Sequence, residues 1–187
     1  MKIIETENGT EIQKAFIEKF TLTYEQFKIK YKDDPMIEKY LKKESDYDRY
    51  FLWDKRNCGF SETVFGAALE FLRKMPGDVL IMPDPGKSNG SYLTINGKER
   101  KNCVASVNAS ELADLIEYEW RQLWKAWSQD IPDFNSVLPD DLYVFDEKME
   151  HVLIFTHEYD FWELESTEEF LNCVEARWCF SYGFTNE

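Results

Sequence analysis

The chain has 187 residues, is 43% hydrophobic and 16% aromatic, and carries a formal charge of −14. It is long and apolar enough for one core, which excludes wholesale disorder. No apolar run approaches the roughly 18 residues a membrane helix needs, and the opening MKIIETENGTEIQK is too polar for a signal peptide, so a cytoplasmic protein without a membrane partner is expected.

Thr10-Glu11-Ile12-Gln13 has the spacing of a capping box, and Ile12, Phe16, Phe20, Tyr24, Phe27 and Tyr31 follow at helical intervals. They predict one long helix, or two divided at Thr21 to Thr23 with Thr23 as the second cap. Asp34-Pro35 predicts a short helix to about Lys43. Ser61 can cap another, with Val64, Phe65, Ala68, Leu69, Phe71 and Leu72 on its apolar face, before Pro76-Gly77 stops it.

VLIM, from Val79, reads as a strand, and Asn96-Gly97 is the strongest two-residue hairpin signal. Asn108-Ala109-Ser110-Glu111 opens a helix with Leu112, Leu115, Ile116, Trp120, Leu123, Trp124 and Trp127 on one side. Such a Trp stripe belongs to a core more often than to a binding site. LYVFD and HVLIFTHE around Glu147 to Glu150 predict a second hairpin, and Ser166-Thr167-Glu168-Glu169 is another capping box. The last stretch, CVEARWCFSYGF, is compatible with helix or strand.

These readings give one α/β (α+β) domain over 1–187. Residues 1–76 are expected to be mainly helical, 77–107 hairpin strands, 108–129 a helix, and 138–187 an acidic hairpin with a terminal helix or strand. A mainly antiparallel sheet of about five strands should be packed by the Trp-rich helix.

Chemistry-bearing patterns are sparse. Cys58, Cys103, Cys173 and Cys179 form no CxxC pair and read as reduced, small core residues, so neither a metal nor a cofactor is expected. PDPGKSNG places Gly-Lys-Ser after a strand, but Ile81 stands where a phosphate loop needs glycine and no helix follows. His151 and His157 should share one strand face with Leu153 and Phe155, roughly 20 Å apart, too far to act together. Pro83-Asp84 with Glu99 and Lys101 resembles in outline the PD…(D/E)xK pattern of a nuclease superfamily. The resemblance implies a Mg²⁺-dependent site in which Asp84 and Glu99 hold the metal and Lys101 assists the attacking water. The simpler reading is solvated charge beside a hairpin.

The charge itself is segregated. Residues 1–127 hold 20 basic and 21 acidic side chains, whereas residues 128–187 hold 2 and 15. So acidic a surface disfavours direct nucleic-acid binding, which needs clustered cations. It suits either plain solubility or a basic protein partner reached by electrostatic steering. Asp146, Glu147, Glu150, Glu158 and Asp160 are the expected partner-binding charges, with Phe161 and Trp162 as anchors.

The segment LPDDLYVFDEKMEHVLIFTHEYDFW, about residues 138–162, resembles stretches of small acidic bacterial toxin-immunity proteins. The resemblance carries no residue-level motif. It implies a stoichiometric, non-enzymatic inhibitor that covers the active site of a basic toxin, for instance a nuclease domain. A nucleic-acid-mimicking antagonist of a restriction or defence protein would use the same surface; partner and oligomeric state are open.

Overall fold

The protein is represented by a computed structural model that describes residues 1–48, 50–85, 92–129, 136–158, 169, 172 and 177–184. Fifteen elements follow one another among them. They are β1 (Ile4–Glu5), α1 (Gly9–Phe20), α2 (Tyr24–Lys30), α3 (Pro35–Tyr40), α4 (Glu44–Tyr47), β2 (Ser61–Thr63), α5 (Phe65–Lys74), β3 (Asp78–Pro83), β4 (Leu93–Ile95), β5 (Lys98–Arg100), β6 (Ala105–Asn108), α6 (Ala109–Gln129), β7 (Leu142–Phe145), β8 (Val152–Phe155) and β9 (Cys179–Tyr182). No helix among the described residues is long and apolar enough to cross a membrane.

Seven strands form one antiparallel sheet in the order β1-β6-β3-β7-β8-β9-β2, while β4 and β5 pair separately. The sheet has seven strands where about five were expected, since β1 and β2 come from the region read as mainly helical and β9 from the stretch left open as helix or strand, whereas the β4–β5 hairpin stays outside it. Strands β1 and β2 form the edges, which only long-range pairing can recruit: Ile4 opposite Ser106, and Ser61 opposite Ser181. Ser61 is therefore a strand residue and not a helix cap. Its strand pairs three residues with β9, and the Thr63 and Ser181 hydroxyls bond each other, more than a single cap bond would supply. Helix α5 starts instead at Phe65, after Val64, with no side-chain cap.

Helices cover both sheet faces. Val79, Ile81, Leu142, Val144, Leu153 and Phe155 pack toward α5 and α6, against Phe65, Leu69, Leu72, Leu112, Ile116 and Trp120. The alternate residues Leu80, Met82, Tyr143, Phe145, Val152 and Ile154 pack toward α1, against Phe16 and Phe20. This double burial explains why β7 and β8 read as unbroken apolar runs, a pattern more familiar from parallel sheets. Phe16 lies 4.8 Å from Phe145 and 5.8 Å from Tyr143, ring to ring. Trp120 is 8% exposed and Trp124 packs partly buried, which puts the described Trp stripe in the core.

Local signals were used unevenly. The first helix does break: Thr23 takes the Gln26 N–H on its hydroxyl while the Gln26 side chain takes the Thr23 N–H, a reciprocal capping box. The box at Thr10 is not used, because the chain enters α1 two residues earlier, with Asn8 in the N-cap position. Thr6 donates through both its N–H and its hydroxyl to the Val104 carbonyl, fixing that entry. Asn96 and Gly97 both have positive φ, 51° and 72°, as the tight hairpin turn requires. Asn108 accepts the Glu111 N–H at the start of α6. The chain ends its described course as strand β9. The capping box at Ser166 to Glu168 lies outside the described residues. Of the cysteines, Cys103 and Cys179 are buried, but Cys58 is exposed, since it sits in a turn beside Gly59 and off the sheet.

Candidate functional site

The β7–β8 hairpin reaches both ends of the sheet, and its turn helps to build a groove. Asp146 organises that turn, accepting the Glu150 N–H at 2.9 Å, the His151 N–H at 3.0 Å and the His151 ring Nδ1 at 2.7 Å. Burial pushes its carboxyl up, but these bonds outweigh it and hold Asp146 below the ordinary carboxylate range. Met149 takes a positive φ of 55°, and Lys19 of α1 donates to the Met149 carbonyl at 2.7 Å. The exposed carboxylates of Glu147 and Glu150 are thus mounted on a braced turn.

Beside the turn, β9 ends at Tyr182, followed by Gly183. Its φ of +80° and its closeness to Glu150 and His151 leave no room for a side chain: a Cβ would fall on the Glu150 carbonyl. That bend throws Phe184 back over α5, where it stacks on Phe71 at 4.7 Å and 12° and meets the His151 ring at 5.1 Å. A groove of 960 Å³ results, with Phe71, Met75 and Phe184 on its floor and Glu70, Asp78, Asp146, Glu147 and Glu150 around it. Lys74 and Lys148 also stand at the rim, so carboxylates outnumber ammonium groups five to two. Asp78, Glu147 and Glu150 make no ion pair or side-chain hydrogen bond among the described residues.

The other end of the sheet is polar and holds buried carboxylates, Asp84 and Asp141. Asp141, 3% exposed, accepts the Trp53 indole N–H at 3.0 Å and the His157 N–H at 3.0 Å, and lies 2.9 Å from His157 Nδ1. Burial works against a charged imidazole, yet the Asp141 carboxylate, with Glu158 and Asp140 nearby, raises His157 above its ordinary value. The His157 Nε2 faces Glu158 at 3.4 Å, a carboxylate and not a hydroxyl or thiol that it could activate. Asp54, also in this cluster, is pushed up to about 6, chiefly by burial and further by Asp84 and Glu158, against the Phe51 N–H that it accepts. Among the described residues no three His, Cys, Asp or Glu side chains converge as metal ligands.

The two histidines do not share a face as strand alternation predicts. His151 packs on Phe184 toward α5, while His157 packs on Phe51 at 4.6 Å, beside Trp53 on the α1 side. The ladder stops at Phe155. Thr156 gives both its N–H and its hydroxyl to the Trp178 carbonyl, and the chain then turns to deliver His157 to Asp141.

Of the expected partner-binding residues, Asp146, Glu147 and Glu150 come together on the groove. Glu158 stands exposed at the opposite end of β8, and Asp160, Phe161 and Trp162 lie outside the described residues. Asp84 is 3% exposed and accepts the Leu52 N–H and the Tyr143 hydroxyl, each at 2.7 Å. Glu99 and Lys101 are exposed, Glu99 on the separate β4–β5 hairpin and Lys101 just past its end, so they do not share a strand face. The Gly86 to Gly90 part of PDPGKSNG lies outside the described residues. Sequence reasoning missed Phe71, Met75 and Phe184 as groove residues; the one local signal was Gly183 between a strand and an aromatic. Set against known proteins, the chain matches no family model, no curated protein and no solved structure.

Proposed function

We propose that the protein is a non-enzymatic, acidic, protein-binding inhibitor, most concretely an immunity protein that neutralises a cognate bacterial toxin. The groove beside the β7–β8 turn is its contact with a basic partner. The observation that carries this reading is the set of unpaired carboxylates of Asp78, Glu147 and Glu150 around an aromatic floor. Unpaired charge at the rim steers association, and partly buried aromatics supply the desolvated area from which affinity comes. A toxin nuclease fits as partner, since a surface that grips phosphate is cationic.

The test is kinetic. A partner is captured from the native cell with the full chain as bait, and its association is measured for the native chain and for Glu147→Lys with Glu150→Lys. Association should slow about tenfold at low salt, and the gap should close as salt screens it. Reversing Glu38 on α3, which does not line the groove, should leave the rate unchanged. Unchanged rates in the double variant would sink the reading. So would Mg²⁺-dependent cleavage of DNA or RNA that disappears in Lys101→Ala. Asp146 is unsuitable for such a test, because the turn itself hangs on it.

A further inference from the structure

We infer that the groove takes an arginine-bearing segment of the partner, the guanidinium lying against the stacked Phe71 and Phe184 rings and pairing with Glu147 and Glu150. This rests on the protein-binding reading above and names the chemistry of its partner. Three features point the same way. The groove's 960 Å³ exceeds what one side chain fills and lies within the range of sites that enclose a short segment. Its charge, three unpaired carboxylates of Asp78, Glu147 and Glu150 against two lysines, favours a cationic occupant. Its floor is aromatic, with Phe184 stacked on Phe71 at 4.7 Å and touched by the His151 ring at 5.1 Å.

The last feature separates arginine from lysine. A guanidinium is planar and weakly hydrated; it can lie on a ring while its edge donates two parallel bonds to a carboxylate. An ammonium is a strongly hydrated point charge that gains little from such a floor. The protein's own Arg56 and Arg177 lie on rings in the same manner, at 3.5 Å over Phe180 and 3.8 Å over Trp120, with their edges donating to backbone carbonyls.

The probe is a short arginine-rich peptide and its lysine counterpart of equal length and charge, titrated into the full chain while backbone amide resonances are followed. The arginine peptide should bind about fivefold tighter, with shifts at Phe71, His151, Gly183 and Phe184. Phe184→Leu, which keeps apolar packing and removes the ring, should erase the preference and leave binding of the lysine peptide intact. Glu147→Gln with Glu150→Gln should weaken both peptides. Equal affinities for the native chain, no binding of either peptide, or shifts confined to acidic surface outside the groove would each overturn the arginine inference. None of these would touch the protein-binding reading, which falls on the association-rate test or on Lys101-dependent nuclease activity.

Discussion

Replacing Arg177 tests how the sheet's polar end is held together. The side chain is 2% exposed, donates from Nε to the Thr156 carbonyl at 2.7 Å and from Nη2 to the Asp140 carbonyl at 2.8 Å, and lies 3.8 Å over the Trp120 ring. It thereby ties the entry of β9 to the exit of β8, the entry of β7 and helix α6. It makes no ion pair among the described residues, and burial pushes its pKa down to about 10. Each bond from a charged donor contributes about 1.5–3 kcal/mol, and a desolvated cation on a ring about 2 kcal/mol. Burying the guanidinium costs several kcal/mol in return. Arg177→Ala removes the cation but leaves two carbonyls without their donor and opens a cavity under Trp120, so a net loss of about 3–5 kcal/mol is expected. Arg177→Met refills the space and should lose only about 1–3 kcal/mol, the cost of the orphaned carbonyls. Arg177→Lys keeps the charge yet cannot fork to both carbonyls, and should fall between the two. Urea unfolding followed by tryptophan fluorescence gives the three values. If Arg177→Ala lost less than about 1 kcal/mol, or Arg177→Met as much as Arg177→Ala, the account of a bridging guanidinium would be wrong.

Two further substitutions probe other parts of the structure. Gly183→Ala should cost about 3 kcal/mol or more, because a Cβ there meets the Glu150 carbonyl and φ is +80°; urea unfolding measures it, and a cost under about 1 kcal/mol would show that the corner is not tight. Asp54 has a folded pKa of about 6 against an ordinary 3.8, so the folded state binds its proton more tightly. That contribution to stability is full below pH about 4 and is lost as pH rises toward about 6. Asp54→Asn should therefore stabilise at pH about 7.5 by up to about 3 kcal/mol and have little effect at pH about 4, and an equal gain at both would refute the assignment.

What could be read from the sequence was what neighbours along the chain settle between themselves. The Asn96-Gly97 turn, the reciprocal bonds of Thr23 and Gln26, the amphipathic stripe of α6 and the hairpin around Glu147 to Glu150 each rest on residues within a few positions of one another. The acidic charges of that hairpin turn were legible for the same reason. Only the tertiary structure decided the rest. Ser61 to Thr63 became a strand because β9, more than a hundred residues away, satisfies its backbone; His157 changed face because Asp141 receives it; and Arg177 is buried because two carbonyls and Trp120 from separate elements meet around it. The groove belongs wholly to this second class. Residues 67–79, 146–151 and 183–184 line it together, and no pattern within any one of them reveals a surface that exists only where three segments converge.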